Sequence, residues 1–264
     1  MLQLNQIFKV FNEGTPDEKI ALNNVSLTLN KGDFVTIIGS NGAGKSTLMN
    51  VISGVLFPDE GSVFIDGNDV TILPEYQRSR YIGRVFQDPM AGTAPSMTIE
   101  ENLAIAFSRI NSRTFKRGVT KKRREFFREV LQTLHLGLEN RLNAKVGLLS
   151  GGERQALSLL MATFTEPQIL LLDEHTAALD PSRAELITQL TKDIVEKYHL
   201  TTLMVTHNMH QAIELGNRLI MMDKGQIIFE VNAQEKKQLT VEKLLHEFQR
   251  IRGEQMASDR AILS

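Results

Sequence analysis

The stretch "IIGSNGAGKST", residues 37–47, decides how the rest of the chain is read. Two isoleucines lead into a loop with three glycines, and the loop closes on Lys45-Ser46-Thr47. From Gly39 onward it fits G-x-x-x-x-G-K-[ST], a phosphate-cradling loop. The apolar run FVTII (34–38) before it predicts a buried strand, and residues 46–54 after it predict a helix ending at Gly54. A loop in that position has to bend sharply and bring its backbone N–H groups up to phosphate oxygens. Gly42 and Gly44 suit this because they lack Cβ and tolerate positive φ. The cradle is therefore Gly39, Ser40, Asn41, Gly42, Ala43, Gly44, Lys45, Ser46 and Thr47. The following helix N-terminus adds partial positive charge. Lys45 would reach the β- and γ-phosphates, and the Ser46 hydroxyl would bind Mg²⁺. At average composition such a match arises by chance in on the order of one chain in a hundred of this length.

The chain has 264 residues and a formal net charge of −1, enough length for a sizeable core in one or two domains and no global basic field. No cysteine is present, which excludes disulfides, Cys-ligated zinc and a thiol nucleophile. The polar-studded start MLQLNQIFKVF has no signal-peptide apolar region, and no apolar run approaches the ~18 residues of a membrane span. The expectation is a cytoplasmic protein, with any membrane contact made through partners.

LQLNQIFKV (2–10) and VSLTL (25–29) alternate like half-buried strands around a turn-rich loop, NEGTPDEK (12–19). VFIDG, YIGRVF (81–86), QILLLD (168–173), TLMVT (202–206), LIMMD and QIIFE read as further strands. From about Thr98 the period becomes helical through TIEENLAIAF, VTKKRREFFREVLQTL and GGERQALSLLMATF. Helices are also expected over 181–198 and 240–250, with a frayed tail over the last dozen residues. The alternation argues for an α/β core with a parallel sheet and a helical insertion.

Two further motifs carry chemistry. In ILLLDEHTAALD (169–180) an apolar strand ends in Asp173, which puts a carboxylate at the sheet edge where it can hold Mg²⁺. Glu174, one residue on, points elsewhere and could orient or deprotonate an attacking water. In LSGGERQ (149–155), Ser150-x-x-Glu153 is a helix capping box. Gly151 and Gly152 inside the first turn cost ~1 kcal/mol each, which makes sense if the backbone there approaches something closely. Ser150, Gly151, Gly152 and Glu153 thus read as a second anion site.

Gly39 to Thr47, Gln87, LSGGERQ, LLLDE, Ala178-Leu179-Asp180 and His207 fall in the order and spacing of an ATP-binding cassette (ABC) ATPase. The chain resembles that family over roughly residues 2–230, and LSGGE is the family's own signature. The resemblance implies an α/β fold: a phosphate-loop NTPase core with a mainly parallel sheet, an antiparallel β subdomain and an inserted α-helical subdomain. It implies an ATPase domain over 1–236, its helical part at about 98–162, and a C-terminal helix and tail over 237–264. It also implies ATP and Mg²⁺ as cofactors and a head-to-tail dimer, homodimeric or with a paired cassette. The Lys45 loop of one subunit and the Ser150 helix of the other would then sandwich each nucleotide. By the same resemblance Gln87 contacts Mg²⁺ and senses the membrane subunit, His207 contacts the γ-phosphate, Phe11 stacks on adenine and Asp180 belongs to the nucleotide site. Glu174, His207 and Lys45 are the expected catalytic residues, and Ser46, Gln87 and Asp173 the expected metal residues.

Two positions depart from the family pattern: His175 replaces the usual proline after Glu174, and Met161 a common arginine. Cassettes with D-E-H-T occur in a bacterial importer branch, some members of which are linked to aromatic amino acids. Non-transport cassettes for chromosomes or translation carry coiled coils, zinc modules or two copies per chain. This chain has a roughly fifty-residue insertion, no Cys and one copy. Transport is therefore expected, with integral membrane permease subunits and a separate solute-binding protein as partners and no nucleic acid. Import is favoured over a separate-subunit exporter or a lipoprotein-release-type machine, although the loop NEGTPDEK resembles the latter. The basic segment 109–128 holds nine Lys or Arg. It reads as a solvated helix face, as a surface near anionic lipid, or, without interleaved stacking aromatics to support it, as an RNA-binding face.

Overall fold

The computed structural model describes residues 1–109 and 118–250. Residues 110–117 of the basic segment and the tail from 251 onward lie outside them. In chain order the first part comprises β1 (Leu2–Phe11), β2 (Lys19–Leu29), β3 (Phe34–Gly39), α1 (Lys45–Ser53), β4 (Glu60–Ile65), β5 (Asn68–Asp69), α2 (Glu75–Arg78) and β6 (Ile82–Val85). The helices α3 (Ile99–Phe107), α4 (Lys121–Gln132) and α5 (Gly151–Thr163) follow. The chain then returns to the sheet with β7 (Ile169–Asp173), α6 (Pro181–Tyr198), β8 (Thr201–Val205), α7 (Met209–Glu214), β9 (Arg218–Asp223), β10 (Gln226–Val231) and α8 (Ala233–Lys236). Residues 241–250 form a last helix.

Two sheets result. One has the order β2-β1-β4-β5 and is antiparallel throughout. The other has the order β10-β9-β3-β8-β7-β6 and is parallel except for β10. Leu22, Leu27, Leu48, Ile52, Val63, Ile37, Leu171 and Val205 fill the space between the sheets around α1. A second core joins α3, α4, α5 and α6 to the other face of the parallel sheet through Phe127, Leu131, Leu157, Ile187 and Leu172. The chain is therefore an α/β protein with an antiparallel sheet and an inserted group of helices on a mainly parallel core.

The parallel register fixes where function can sit. Ile37 pairs with Val205, and Asp173 pairs with Val205 as well, so β3, β7 and β8 end level. Loops leaving those C-terminal ends share one crevice, the usual ligand position of such sheets. At its far end α1 is held by Arg78, which is fully buried. Its guanidinium donates to Val51 O (2.7 Å), Ile52 O (2.8 Å), Leu73 O (2.7 Å) and Thr71 O (2.8 Å). The next residue after α1, Gly54, has to be glycine: φ is +81°, and a Cβ would lie 2.8 Å from Arg78 Nε.

The structure corrects several expected boundaries. β2 starts at Lys19, so it takes in the end of the expected loop and pairs as far as Phe11. β6 and β8 end at Val85 and Val205, which leaves Gln87 and His207 two residues beyond their strands. β5, α2, α7 and α8 were not anticipated, since two to six residues are too few for periodicity to register.

Candidate nucleotide site

A cleft of about 190 Å³ opens where β1, β2, the 39–47 loop, β7 and β8 converge. Phe11, Lys19, Asn41, Gly42, Lys45, Ser46, Thr47, Glu174 and His207 are among its lining residues. Of the residues singled out in the sequence, this cleft gathers Phe11, Asn41 to Thr47, Glu174 and His207. Gly39 and Ser40 lie behind it, against His207 from the other side. Gln87, Asp173, Asp180 and the stretch Ser150 to Glu153 do not line it.

The loop's conformation follows from its glycines. Gly42 and Gly44 take φ of +81° and +100°. Above Gly42 a Cβ would meet nothing nearer than Lys19 Nζ at 3.9 Å, so its face toward the cleft is open. At Gly44 a Cβ would fall 2.5 Å from Ala21 O, so this glycine is required by packing against β2 as much as by φ. α1 begins with no side-chain cap, while α3, α4, α5 and α6 are each capped by a side chain. The first N–H groups of α1 therefore keep their hydrogen-bonding capacity, which suits an incoming anion.

Lys45 is 5% exposed, and its Nζ donates to Gly39 O (2.7 Å) and Ser40 O (3.0 Å). Burial pushes its pKa down, and the Glu174 and Asp173 carboxylates resist the shift. Ser40 Oγ donates to Asp223 Oδ1 at 2.8 Å and so anchors the loop to β9. Glu174 adopts φ +47°, a conformation costly for a residue with a Cβ and often found at functional positions. Its amide donates to Val205 O (3.0 Å), and its Oε1 lies 2.6 Å from His207 Nε2. Glu174 thus turns away from Asp173, as its place in the sequence predicts. Asp173 Oδ2 instead accepts from Arg84 Nη2 at 3.1 Å.

His175 is 2% exposed. Thr191 Oγ1 donates to Ile187 O at 2.8 Å, so its lone pair accepts from His175 Nε2–H at 2.9 Å. Burial lowers the His175 pKa to about 4, and the ring is neutral. The loop after it reaches α5, where a Cβ on Gly151 would lie 3.6 Å from Leu179 Cδ2.

At the start of α5 the capping box forms within the chain. Ser150 Oγ accepts from Glu153 N (3.3 Å), and Glu153 Oε2 accepts from Ser150 N (2.7 Å). Arg141 Nη1 holds the other Glu153 oxygen at 2.7 Å. Gly152 has its own structural reason, since a Cβ there would lie 3.0 Å from Arg183 Cδ. Asp180 caps α6, accepting from Arg183 N at 3.1 Å. In the basic segment, Arg124 pairs with Glu100 (2.6 Å), and Arg123 lies 5.3 Å from the Phe107 ring centroid. These side chains are partly occupied within the fold.

Sequence reasoning missed two residues at this site. Lys19 enters the cleft because β2 pairs it with Phe11, and only the hairpin register reveals that. Arg84 meets Asp173 across β6 and β7, and nothing local marks it.

A crevice of this kind, with a P-loop, a carboxylate-tipped strand and a separate capped signature helix, is that of an ATP-hydrolysing cassette. The profile of the ABC transporter family matches residues 22–177, and the chain belongs to that family. It is the ATP-binding and ATP-hydrolysing subunit of a transporter. A tyrosine transport ATP-binding protein of Clostridioides difficile is 43% identical over 249 residues, 94% of this chain and 99% of that protein. The methionine import protein MetN 2 of Enterococcus faecalis is 35% identical over 87% of this chain and 64% of its own length. The glycine betaine/carnitine/choline transport protein OpuCA of Bacillus subtilis is 33% identical over 86% of this chain and 57% of its own. Among solved structures, the cassette MJ0796, dimeric in a post-hydrolysis state with ADP and Pi, superposes with a TM-score of 0.75. It is 32% identical, with 88% of this chain and 99% of that one covered. The ADP conformation of the cassette MJ1267 also gives a TM-score of 0.75 at 32% identity, covering 90% and 93%.

Proposed function

We propose that this chain drives uptake of tyrosine or a chemically similar aromatic amino acid, as the ATPase of an importer. The carrying observation is the 43% identity with a tyrosine transport ATP-binding protein along 99% of that protein's length. Its permease subunits and a solute-binding protein would be separate chains, and the cassette would sit on the cytoplasmic face of the membrane. Among the described residues no helix is long and apolar enough to cross a membrane.

The site residues divide by role. Phe11 stacks on adenine, with Lys19 beside it as a cation for the phosphates. Asn41 to Thr47 wrap the phosphates with backbone amides, and Lys45 leaves the Gly39 and Ser40 carbonyls to meet them. Ser46, Asp173 and Gln87 supply oxygen donors of the kind Mg²⁺ prefers. Bound there, the ion would neutralise charge developing on the phosphates. Glu174 holds or deprotonates the attacking water, and His207, already 2.6 Å from it, keeps its carboxylate oriented and faces the γ-phosphate. Ser150 to Gly152 and Asp180 complete the site of a partner cassette, head to tail, which fits their absence from the cleft of their own chain. The segment from Gln87 to Pro95 would meet the permease. There a cleft of about 340 Å³ opens between β6, α3 and α5.

The test is uptake of labelled tyrosine by cells lacking this chain. Uptake should be lost, return with the wild-type chain and stay absent with Lys45→Ala. Intact tyrosine uptake together with loss of methionine or choline uptake would overturn the cargo while leaving the ATPase.

A further inference from the structure

Arg84 on β6 stands opposite Leu171 on β7. Asp173 is two residues further along β7 on the same face, so the long Arg84 side chain reaches its carboxylate. The contact, Nη2 to Oδ2 at 3.1 Å, joins two nearly enclosed side chains, 11% and 15% exposed. Nη1 donates to Ser53 Oγ at 3.1 Å, on the last turn of the helix that starts at the phosphate loop. The guanidinium also lies 4.7 Å from the Phe86 ring centroid. Its Nε is buried and has no hydrogen-bond partner among the described residues. Arg84, Phe86, Ala91, Ile105, Arg109 and Met161 all contribute to the wall of the 340 Å³ cleft. One side chain thus runs from the cleft assigned to the permease to the carboxylate assigned to Mg²⁺.

We propose that Arg84 is a resident counter-cation of Asp173, withholding the carboxylate from Mg²⁺ until an acceptor group entering the cleft draws the guanidinium away. This rests on the reading of Asp173 as a metal residue given above. Guanidinium groups do not give up their proton in proteins, so releasing Asp173 requires the Arg84 side chain to move. A carboxylate oxygen held by a guanidinium is a weaker site for a second cation, and the two cations repel each other. The buried, unpartnered Nε leaves the guanidinium with one bond unmade in this position, which lowers the cost of moving it to a new acceptor. By linkage, metal loading at Asp173 must in turn favour occupation of the cleft by the same factor.

The test is titration of the full chain, saturated with ADP, with Mn²⁺ as a spectroscopic stand-in, reading bound Mn²⁺ by EPR. Arg84→Met keeps an extended side chain beside Phe86 but removes the charge. Removing an opposite charge at this range shifts a neighbouring equilibrium by about tenfold or more, so Mn²⁺ half-saturation should fall by at least that factor. ADP affinity without metal should stay as in wild type. Ala91→Glu, on the exposed wall of the cleft, keeps the Arg84 side chain but offers its guanidinium a competing carboxylate, and should move Mn²⁺ binding in the same direction by a smaller factor. Unchanged or weaker Mn²⁺ binding in a normally melting Arg84→Met protein overturns the proposal. If that variant does not fold, an unchanged titration in Ala91→Glu overturns it. Failure of the wild-type chain to bind metal-free ADP would instead overturn the nucleotide site itself.

Discussion

Two helix N-termini in this molecule look alike in the sequence and differ in the fold. α1 follows Gly44 with no side chain bonded to its first amides, and its Lys45 ammonium is folded back onto loop carbonyls. α5 follows Ser150 with both halves of a capping box formed and Arg141 bonded to Glu153. Both starts are glycine-rich, so glycine alone does not distinguish them. The difference is in who satisfies the amides: at α1 no side chain does and they remain open to a ligand or water, whereas at α5 the chain already supplies one bond through Ser150 Oγ. A site that binds nucleotide within one subunit needs the first arrangement. A surface that meets nucleotide only when two subunits close can be stable on its own and needs the second.

Lys45→Ala gives the largest expected break in this comparison. It removes the charge proposed to meet the β- and γ-phosphates and should abolish nucleotide binding by the isolated chain, measured by calorimetry. Ser150→Arg should leave that binding intact. Equal losses from both would mean that one chain holds the nucleotide with both helices.

Glu174→Gln sharpens the same contrast in kinetics. Hydrolysis should fall ~10²–10⁴-fold while ATP binding remains. Trapped ATP should then hold two subunits together on a sizing column, since a ligand that binds only the closed state shifts the population toward it. Adding Ser150→Arg should return that protein to monomer. Wild-type turnover in Glu174→Gln would remove Glu174 as the base.

The loop from Glu174 to Asp180 connects the two regions, and His175 pins it to α6. Burial lowers the His175 pKa from 6.5 to about 4. Between those values the unfolded chain takes up a proton that the folded chain refuses. Stability is thus complete above pH 6.5 and falls as pH drops toward 4, by roughly 3 kcal/mol in all. Thermal melts at pH 7.5 and pH 5 should show this slope, and His175→Asn should lose most of it. An equal slope in the variant would place the effect on other groups.

Gly151→Ala is the smallest expected effect. Its Cβ would meet Leu179 at an ordinary 3.6 Å, so the isolated chain should gain up to ~1 kcal/mol from better helix propensity. ATP-driven dimers of Glu174→Gln should nonetheless weaken if, as proposed, Gly151 faces the nucleotide held by a partner cassette. Unaltered dimers would mean that Gly151 is only a tolerated residue in the first turn.

Much of this was legible along the chain. The apolar run of β3, the glycines of the loop and the helix after it act over a few residues, and their pattern dictates local geometry directly. The capping box at Ser150 was legible for the same reason. Lys19 and Arg84 were not, because each reaches the site across a strand pair, Lys19 beside Phe11 and Arg84 near Asp173. The sequence marks Gly152 as backbone that something approaches closely, and only the fold shows that the Arg183 stem is what packs against its Cβ side.

By itself the sequence determined the motifs, their order and the class of chemistry, since residue type and short spacing decide backbone conformation and which atoms can donate or accept. The tertiary structure decided which of those atoms meet. The level ends of β3, β7 and β8 bring the Lys45 loop, Glu174 and His207 to one cleft and leave Ser150 outside it. Those meetings depend on register and packing between segments up to about two hundred residues apart, such as Ser40 with Asp223. No local pattern encodes them, because a one-residue slip in a strand turns every side chain to the opposite face.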